Sequence, residues 1–250
     1  AIVIDNGADF RLKDDVPLVI PEVNPDALNS HRGIIANPNC STIQMLAAIA
    51  PIYNCVGIKR IIVSTYQAVS GAGRGALGQL WQQTSEIMDK YTLSQVSSQP
   101  ININASSVQN QIAFNTVPCI GSFGEFGYTT EEWKMVTETH KILSDQNIKI
   151  SATCVRVPVF NCHSESVYFE TVKQLEPEAV KEILSNAKGI IVVDSPMPKD
   201  CSGRDEVFVG RIRKDPFVLN GLWLWIVSDN LRKGAATNAV QIAECLIDNY

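Results

Sequence analysis

Asn37-Pro38-Asn39-Cys40-Ser41-Thr42-Ile43-Gln44 is the stretch on which the reading of this chain turns. Just before it, residues 33–36 form a short apolar strand, which Asn37-Pro38-Asn39 interrupts. Just after it, Ile43, Leu46, Ala47 and Ala50 recur at helical spacing, so residues 41–52 are expected to be a helix. A cysteine thus stands where a broken strand turns into a helix. Free backbone N–H groups and the helix dipole at such a place favour a thiolate and predict a Cys40 pKa well below the ordinary ~8.5. From the residues alone two readings are open. Cys40 is a nucleophile, or it is one of the many free cysteines that serve as small buried side chains.

Outward from this stretch, short apolar runs alternate with helical patterns, which places the chain in the α/β class. Strands are expected at 2–5, 16–20, 58–66, 148–160, 166–172, 190–194, 206–213 and 222–227. Helices are expected at 76–90, at 129–145 with Thr129 as N-cap and Glu132 completing a capping box, at 177–186 with Pro177 in the first turn, and at 235–247. Ser70-Gly71-Ala72-Gly73-Arg74-Gly75 is a Gly-rich loop after a β-branched strand, and the polar, aperiodic stretch 95–111 reads as a long loop. The pattern is a β-rich body with covering helices.

The 250 residues are 45% hydrophobic and 19% charged with a net charge of −5, which excludes a disordered or collagen-like chain. The acidic balance argues against a nucleic-acid partner, and no apolar run approaches the ~18–20 residues of a membrane span. The seven cysteines (Cys40, Cys55, Cys119, Cys154, Cys162, Cys201, Cys245) are odd in number and include no C-x-x-C pair. That argues for a reducing compartment and against a disulfide framework or a structural metal site. Two sequons, at Asn39 and Asn104, are read as chance. Ala1-Ile2-Val3-Ile4-Asp5 reads as a strand already under way, so the chain is expected to be the later part of a longer protein.

A nucleophilic thiolate needs an acid/base partner. Of the three histidines, His31 lies in a polar turn, His140 lies among charged helix residues and is expected to be solvated, and His163 follows a long strand. In that strand Cys154, Arg156 and Pro158 share one face. An arginine on such a strand is costly unless paired. It has either a neighbouring glutamate or an anionic ligand that a guanidinium can grip with two hydrogen bonds. Glu131, Lys134 and Glu138 fall on one helix face, where a solvated charged stripe is the ordinary reading.

Asn37–Thr42 resembles the active-site motif of the aspartate-semialdehyde dehydrogenase family, and the resemblance runs on through 63–73, 131–134, 152–163, 209–213 and 234–236. It implies a catalytic domain of the glyceraldehyde-3-phosphate-dehydrogenase-like α+β type, with the tail of a Rossmann-like cofactor domain. It also implies roles. Cys40 is the nucleophile that passes through a thioester, Gln67 orients the reacting group, and His163 is the acid/base. Arg156 binds the substrate carboxylate and Glu131 its ammonium. Arg11 and Lys134 bind phosphate, and Ser70, Gly71, Gly73 and Asn230 lie near the nicotinamide of NADP. The implied reaction interconverts aspartate semialdehyde plus phosphate with aspartyl phosphate, in the biosynthesis of lysine, threonine and methionine, in a homodimer paired through the sheet.

No G-x-G-x-x-G fingerprint follows a first strand, and the family pattern places most of the cofactor domain before Ala1. The resemblance divides the chain into residues 1–36 as the end of that domain, 37–230 as the catalytic and dimerisation domain, and 231–250 as a helix returning to the first. On that reading the chain binds NADP poorly and exposes apolar surface. The alternatives are a catalytically silent dimeric fragment, a cysteine hydrolase, or a relative such as N-acetyl-glutamyl-phosphate reductase, whose motif has Gly and Tyr where this chain has Asn39 and Ser41. The implied location is the cytoplasm, or the plastid in a plant.

Overall fold

Asn39 shows why a helix starts where it does. Its extended backbone lets Oδ1 accept the free N–H groups of Ser41 (3.0 Å) and Thr42 (3.4 Å), and helix α1 runs from Cys40 to Val56. In the computed structural model, which describes residues 1–101, 103 and 111–248, α1 is buried over residues 41–50 and reaches solvent in its last turn. Gly57, at φ +72°, turns the chain into strand β3, Ile58–Gln67. β3 joins β4 (Lys149–Arg156), β5 (His163–Thr171), β6 (Ile190–Val192), β7 (Val207–Lys214) and β8 (Gly221–Ser228) in one mixed sheet of order β4-β3-β5-β8-β7-β6.

Side chains alternate across a strand, so His163, Glu165, Val167 and Phe169 all face the same layer of the molecule and are all fully buried. That layer consists of α1, α4 (Thr130–Leu143) and α5 (Pro177–Ser185), and Ile43, Leu46 and Ile49 of α1 pack with Ile61, Val63, Val167, Leu224 and Ile226 of the sheet. The opposite face carries the ring pairs Tyr66–Trp225 and Tyr168–Trp223, with Cys201 in the apolar cluster against which Trp225 packs. Helix α4 starts with the expected capping box. Thr129 N–H donates to Glu132 Oε2 (2.7 Å), and Glu132 N–H donates to Thr129 Oγ1 (3.4 Å).

The chain's first and last segments form a smaller unit. Strands β1 (Val3–Asp5) and β2 (Ile34–Ala36) pair in parallel, and Val19, Leu28 and Ile35 pack on Ile242 of α7, Thr237–Asp248. Helix α2 (Arg74–Lys90), short α3 (Leu93–Ser98) and short α6 (Pro198–Cys201) complete the list of α-helices among the described residues.

Four expectations need correction. Residues 16–20 make only a bridge, Leu18 to Ala36, because Pro17 and Pro21 supply no N–H for a ladder. The strand expected to 160 stops at Arg156, two residues before Pro158. The expected loop 95–111 begins inside α3, whose Thr92–Gln95 capping box was masked by its serine-rich composition; the rest of that loop, with the Asn104 sequon, lies largely outside the described residues. His140 is half-buried, its Nε2 at 2.8 Å from the Ile148 carbonyl oxygen. Among the described residues no helix is long and apolar enough to cross a membrane.

Candidate active site

Cys40 is the first residue of α1 and His163 the first of β5, and the fold brings Sγ to 3.2 Å from Nε2 across 123 positions of sequence. The N–H of Ala68, just past the end of β3, donates to His163 Nδ1 at 2.9 Å. In the neutral ring the proton is therefore on Nε2, facing the sulfur. Two glycines allow this closeness. A Cβ on Gly71 would stand 3.0 Å from His163 Cε1 and 3.2 Å from Arg156 Nη1, and one on Gly234 would stand 3.0 Å from Cys40 Cβ.

The pair meets a cavity of about 460 Å³. Cys40, Gln67, Glu131, Arg156, Arg11, Lys134, Ser70, Gly71, Gly73 and Asn230 all line it, and His163 is packed behind Cys40 with no exposure. Gln67, the last residue of β3, donates from Nε2 to Ser41 Oγ (2.9 Å) and Glu131 Oε1 (3.2 Å). Glu131 also accepts from Asn39 Nδ2 (2.9 Å) and from Lys134 Nζ (3.0 Å). Burial alone would raise the Glu131 pKa, but Lys134, Asn39 and Gln67 outweigh it and hold the carboxyl below its ordinary range.

Arg11 is anchored on three sides. Nη1 pairs with Glu138 Oε1 at 3.0 Å, Nε donates to the Asn37 carbonyl (2.9 Å) and Nη2 to that of Asn6 (3.1 Å). Glu138 Oε2 in turn accepts the Asn39 N–H at 2.7 Å, tying the Arg11 anchor to the cap of α1. The charged face of α4 is thus turned inward rather than solvated. Arg156 makes no ion pair among the described residues. Its Nη1 donates to the Ala68 carbonyl at 2.6 Å, so of the two readings open for it the neighbouring glutamate is not found. Asn230 donates from Nδ2 to Ser70 Oγ (2.9 Å) and accepts the Cys162 N–H on Oδ1 (3.1 Å), which fixes the far wall.

The electrostatics at Cys40 run against the expectation drawn from the helix terminus. Burial, then the Glu131 carboxylate, push its thiol up to about 12, and hydrogen bonding from Ser41 offsets only part of this. Burial and the neighbouring Arg156 lower His163 to about 3. The resting pair is a neutral thiol beside a neutral imidazole. Asn6, Ser41 and Glu138 are support residues that sequence reasoning did not single out as such. Glu138 was visible only as part of a charged stripe, and nothing in the sequence announces that Arg11 meets it.

Residues 49–233 match the family model for the semialdehyde dehydrogenase dimerisation domain, and residues 1–31 match that for the semialdehyde dehydrogenase NAD binding domain. The aspartate-semialdehyde dehydrogenase of Aquifex aeolicus is 54% identical over 98% of this chain and 72% of its own length. The crystal structure of aspartate semialdehyde dehydrogenase II from Vibrio cholerae complexed with ASA superposes with a TM-score of 0.92 at 49% identity, over 100% of this chain and 73% of that one. The Candida albicans enzyme with NADP gives a TM-score of 0.71 at 26% identity, over 98% of this chain and 70% of that one. A full family match over the sheet, carried by relatives at about half identity, leads to one conclusion: the chain belongs to the aspartate-semialdehyde dehydrogenases, nicotinamide-dependent oxidoreductases of amino-acid biosynthesis with a dimerisation domain.

Proposed function

We propose that the chain interconverts aspartate semialdehyde plus phosphate with aspartyl phosphate through a thioester on Cys40, with NADP as the cofactor, in the cytoplasmic synthesis of lysine, threonine and methionine. The observation that carries this is the Cys40 Sγ–His163 Nε2 contact of 3.2 Å at a cavity that Cys40, Arg156 and Glu131 all line. The substrate has a carboxylate and an ammonium, and this cavity offers a cation with no ion-pair partner among the described residues and a carboxylate held ionised.

Cys40 sulfur bonds to the aldehyde carbon as its proton passes to the aldehyde oxygen, which His163 steadies from Nε2–H. Loss of the carbon-bound hydride to the acceptor named below, and of the hydroxyl proton to water in the open cavity, leaves the thioester. A phosphate oxygen then attacks the thioester carbon, the C–S bond breaks, and Cys40 is restored. Arg11 and Lys134 supply the positive charge for phosphate, and Glu138 keeps Arg11 aimed. Gln67, held by Ser41 and Glu131, fixes the acyl end. The Gly71 and Gly234 backbones give a wall that any Cβ would fill, and Ser70 and Asn230 border it, which fits a flat ring against the Cys40–His163 pair. A nicotinamide bound there supplies the hydride acceptor. Residues 1–36 and 231–250 are assigned to the cofactor side and 37–230 to catalysis and pairing.

The half-reaction with the acyl phosphate needs no nicotinamide and tests this directly. The chain mixed with β-aspartyl phosphate is expected to release phosphate and carry one aspartyl group on Cys40, read by intact mass and peptide mapping. Cys40→Ala is expected to form none. A folded chain that forms no adduct on Cys40 refutes the proposal.

A further inference from the structure

Beneath the Cys40–His163 pair lies a carboxyl that the reaction above does not use. Glu165 stands two residues beyond His163 on β5, on the same inward face, with no exposure. Across the sheet it is opposite Thr65 of β3 and Ile226 of β8. From α1, Gln44 lies against it, one helical turn past Cys40 and close enough to oppose part of the effect of burial, yet neither oxygen of Glu165 is in a well-formed hydrogen bond. Among the described residues the Gln44 amide, Thr65 Oγ1 and Ser228 Oγ are likewise buried without a well-formed hydrogen bond, although Thr65 stands close enough to Cys154 to act on its thiol.

The other buried carboxylates among the described residues each have a cation or backbone N–H donors: Glu138 has Arg11, Glu131 has Lys134, Glu132 accepts the N–H groups of Thr129 and Cys154, and Asp229 accepts those of Gly203, Leu231 and Arg232. Among the described residues Glu165 has neither. A carboxylate sealed from water without a cation or hydrogen-bond donors is far costlier than the same group carrying a proton. Its charge acts on Cys40 of α1 and Cys154 of β4, His163 stands two residues before it on its own strand, and Glu131 and Glu132 of α4 and Arg156 of β4 act on those three groups. Its direct partners on β3 and β8, Thr65 and Ile226, are not ionisable. Negative charge on Glu165 acts on Cys40 in one direction, against its thiolate.

We propose that Glu165 is a positioning residue that works as a neutral carboxylic acid: it braces Gln44 and the first turn of α1 under Cys40, and its charge state governs how readily the Cys40 sulfur ionises. The proposal rests on Cys40 as the nucleophile, but its test reads Glu165 and the thiol directly, without turnover.

Glu165→Gln keeps the shape and removes the charge. Three results are expected. Infrared difference spectra at neutral pH show a protonated-carboxyl C=O band in the wild type that is missing from the variant. Alkylation of Cys40 at alkaline pH is faster in the variant by about threefold or more, the equivalent of half a pKa unit in thiolate population, with exposed Cys55 as the internal reference. The third concerns stability. An unfolded glutamate titrates near ~4.3, and the folded one above that. Between the two, the folded wild type keeps a proton that the unfolded chain loses, so wild-type stability falls as pH rises through that window. The Tm of the variant relative to wild type therefore climbs as the pH is raised from about 4 to neutrality. A band that survives in the variant, or a Cys40 alkylation profile and Tm difference that do not move, overturns the proposal while leaving the thioester test above untouched. If Glu165→Gln does not fold, ¹³C-glutamate labelling of the wild type reads the same band: its presence at neutral pH supports the neutral acid, and its absence refutes it.

Discussion

Gly71 and Gly234 set the spacing of Cys40 and His163 from outside the pair itself. Each lies where a single methyl would press on a site atom: His163 and Arg156 for Gly71, Cys40 for Gly234. Neither has the positive φ that would make glycine a backbone necessity, so room, not conformation, is what the residue provides here. Gly71→Ala and Gly234→Ala are each expected to cost about 1–3 kcal/mol of stability by overpacking, read by urea denaturation. Both are also expected to slow Cys40 acylation by at least about tenfold, the rate equivalent of 1.4 kcal/mol on the barrier, because the sulfur or the ring is displaced. Gly73→Ala is the control for contact, since a Cβ there meets nothing within 4 Å, although its φ of +89° adds backbone strain. At this scale the sequence was informative about identity and poor about state. The motif around Cys40 pointed to the residue proposed above as the nucleophile, and the helix terminus suggested a ready thiolate. Burial and the Glu131 carboxylate reverse that suggestion, and burial is a property of the packed chain that local spacing does not carry.

Helix α4 holds three charged side chains that act on the cavity, and its spacing is what delivers them together. Glu131, Lys134 and Glu138 were legible as one face of the helix, and the Thr129–Glu132 box as its start. That the face turns inward was not legible, because the partners that satisfy it, Arg11, Asn39 and Gln67, come from remote segments. Strand ends were read too long for the same kind of reason. Residues 157–160 keep an apolar, β-prone composition, and only the loss of ladder partners near Pro158 ends β4. The link from α4 to α1 is testable through Glu138, which binds both Arg11 and the N–H of Asn39. Glu138→Gln removes the charge facing a buried guanidinium and is expected to lower stability by about 3 kcal/mol in chemical denaturation. It is also expected to weaken phosphate in the reverse half-reaction, release of aspartyl phosphate from acylated Cys40, more than it weakens acyl transfer itself. Equal stability of the variant and the wild type would show that Arg11 does not depend on it.

Across the whole molecule the two sheet faces have different fates. One is covered by α1, α4 and α5, and the other presents Tyr66, Trp225 and Trp223, with the Arg213 guanidinium 5.3 Å from the Trp223 ring centre. The matched family model is a dimerisation domain, and this aromatic face is the one we expect a second copy to cover. Sedimentation equilibrium is expected to give a dimer, and Tyr66→Glu, on a side chain 40% exposed, to shift it toward monomer. An unchanged dimer in that variant would place the interface elsewhere. Tyr66 adjoins Gln67, so pairing and site geometry share one strand end. The strand order β4-β3-β5-β8-β7-β6 also has a kinetic side. Cys40 meets His163 across 123 positions and Arg11 meets Glu138 across 127, so neither contact can form until most of the chain has been synthesised and its central strands have paired. Chains with such long-range closure fold slowly. A nascent or partly refolded molecule would hold Cys40 as an ordinary accessible thiol, open to oxidation, and only completion of the sheet would shelter it.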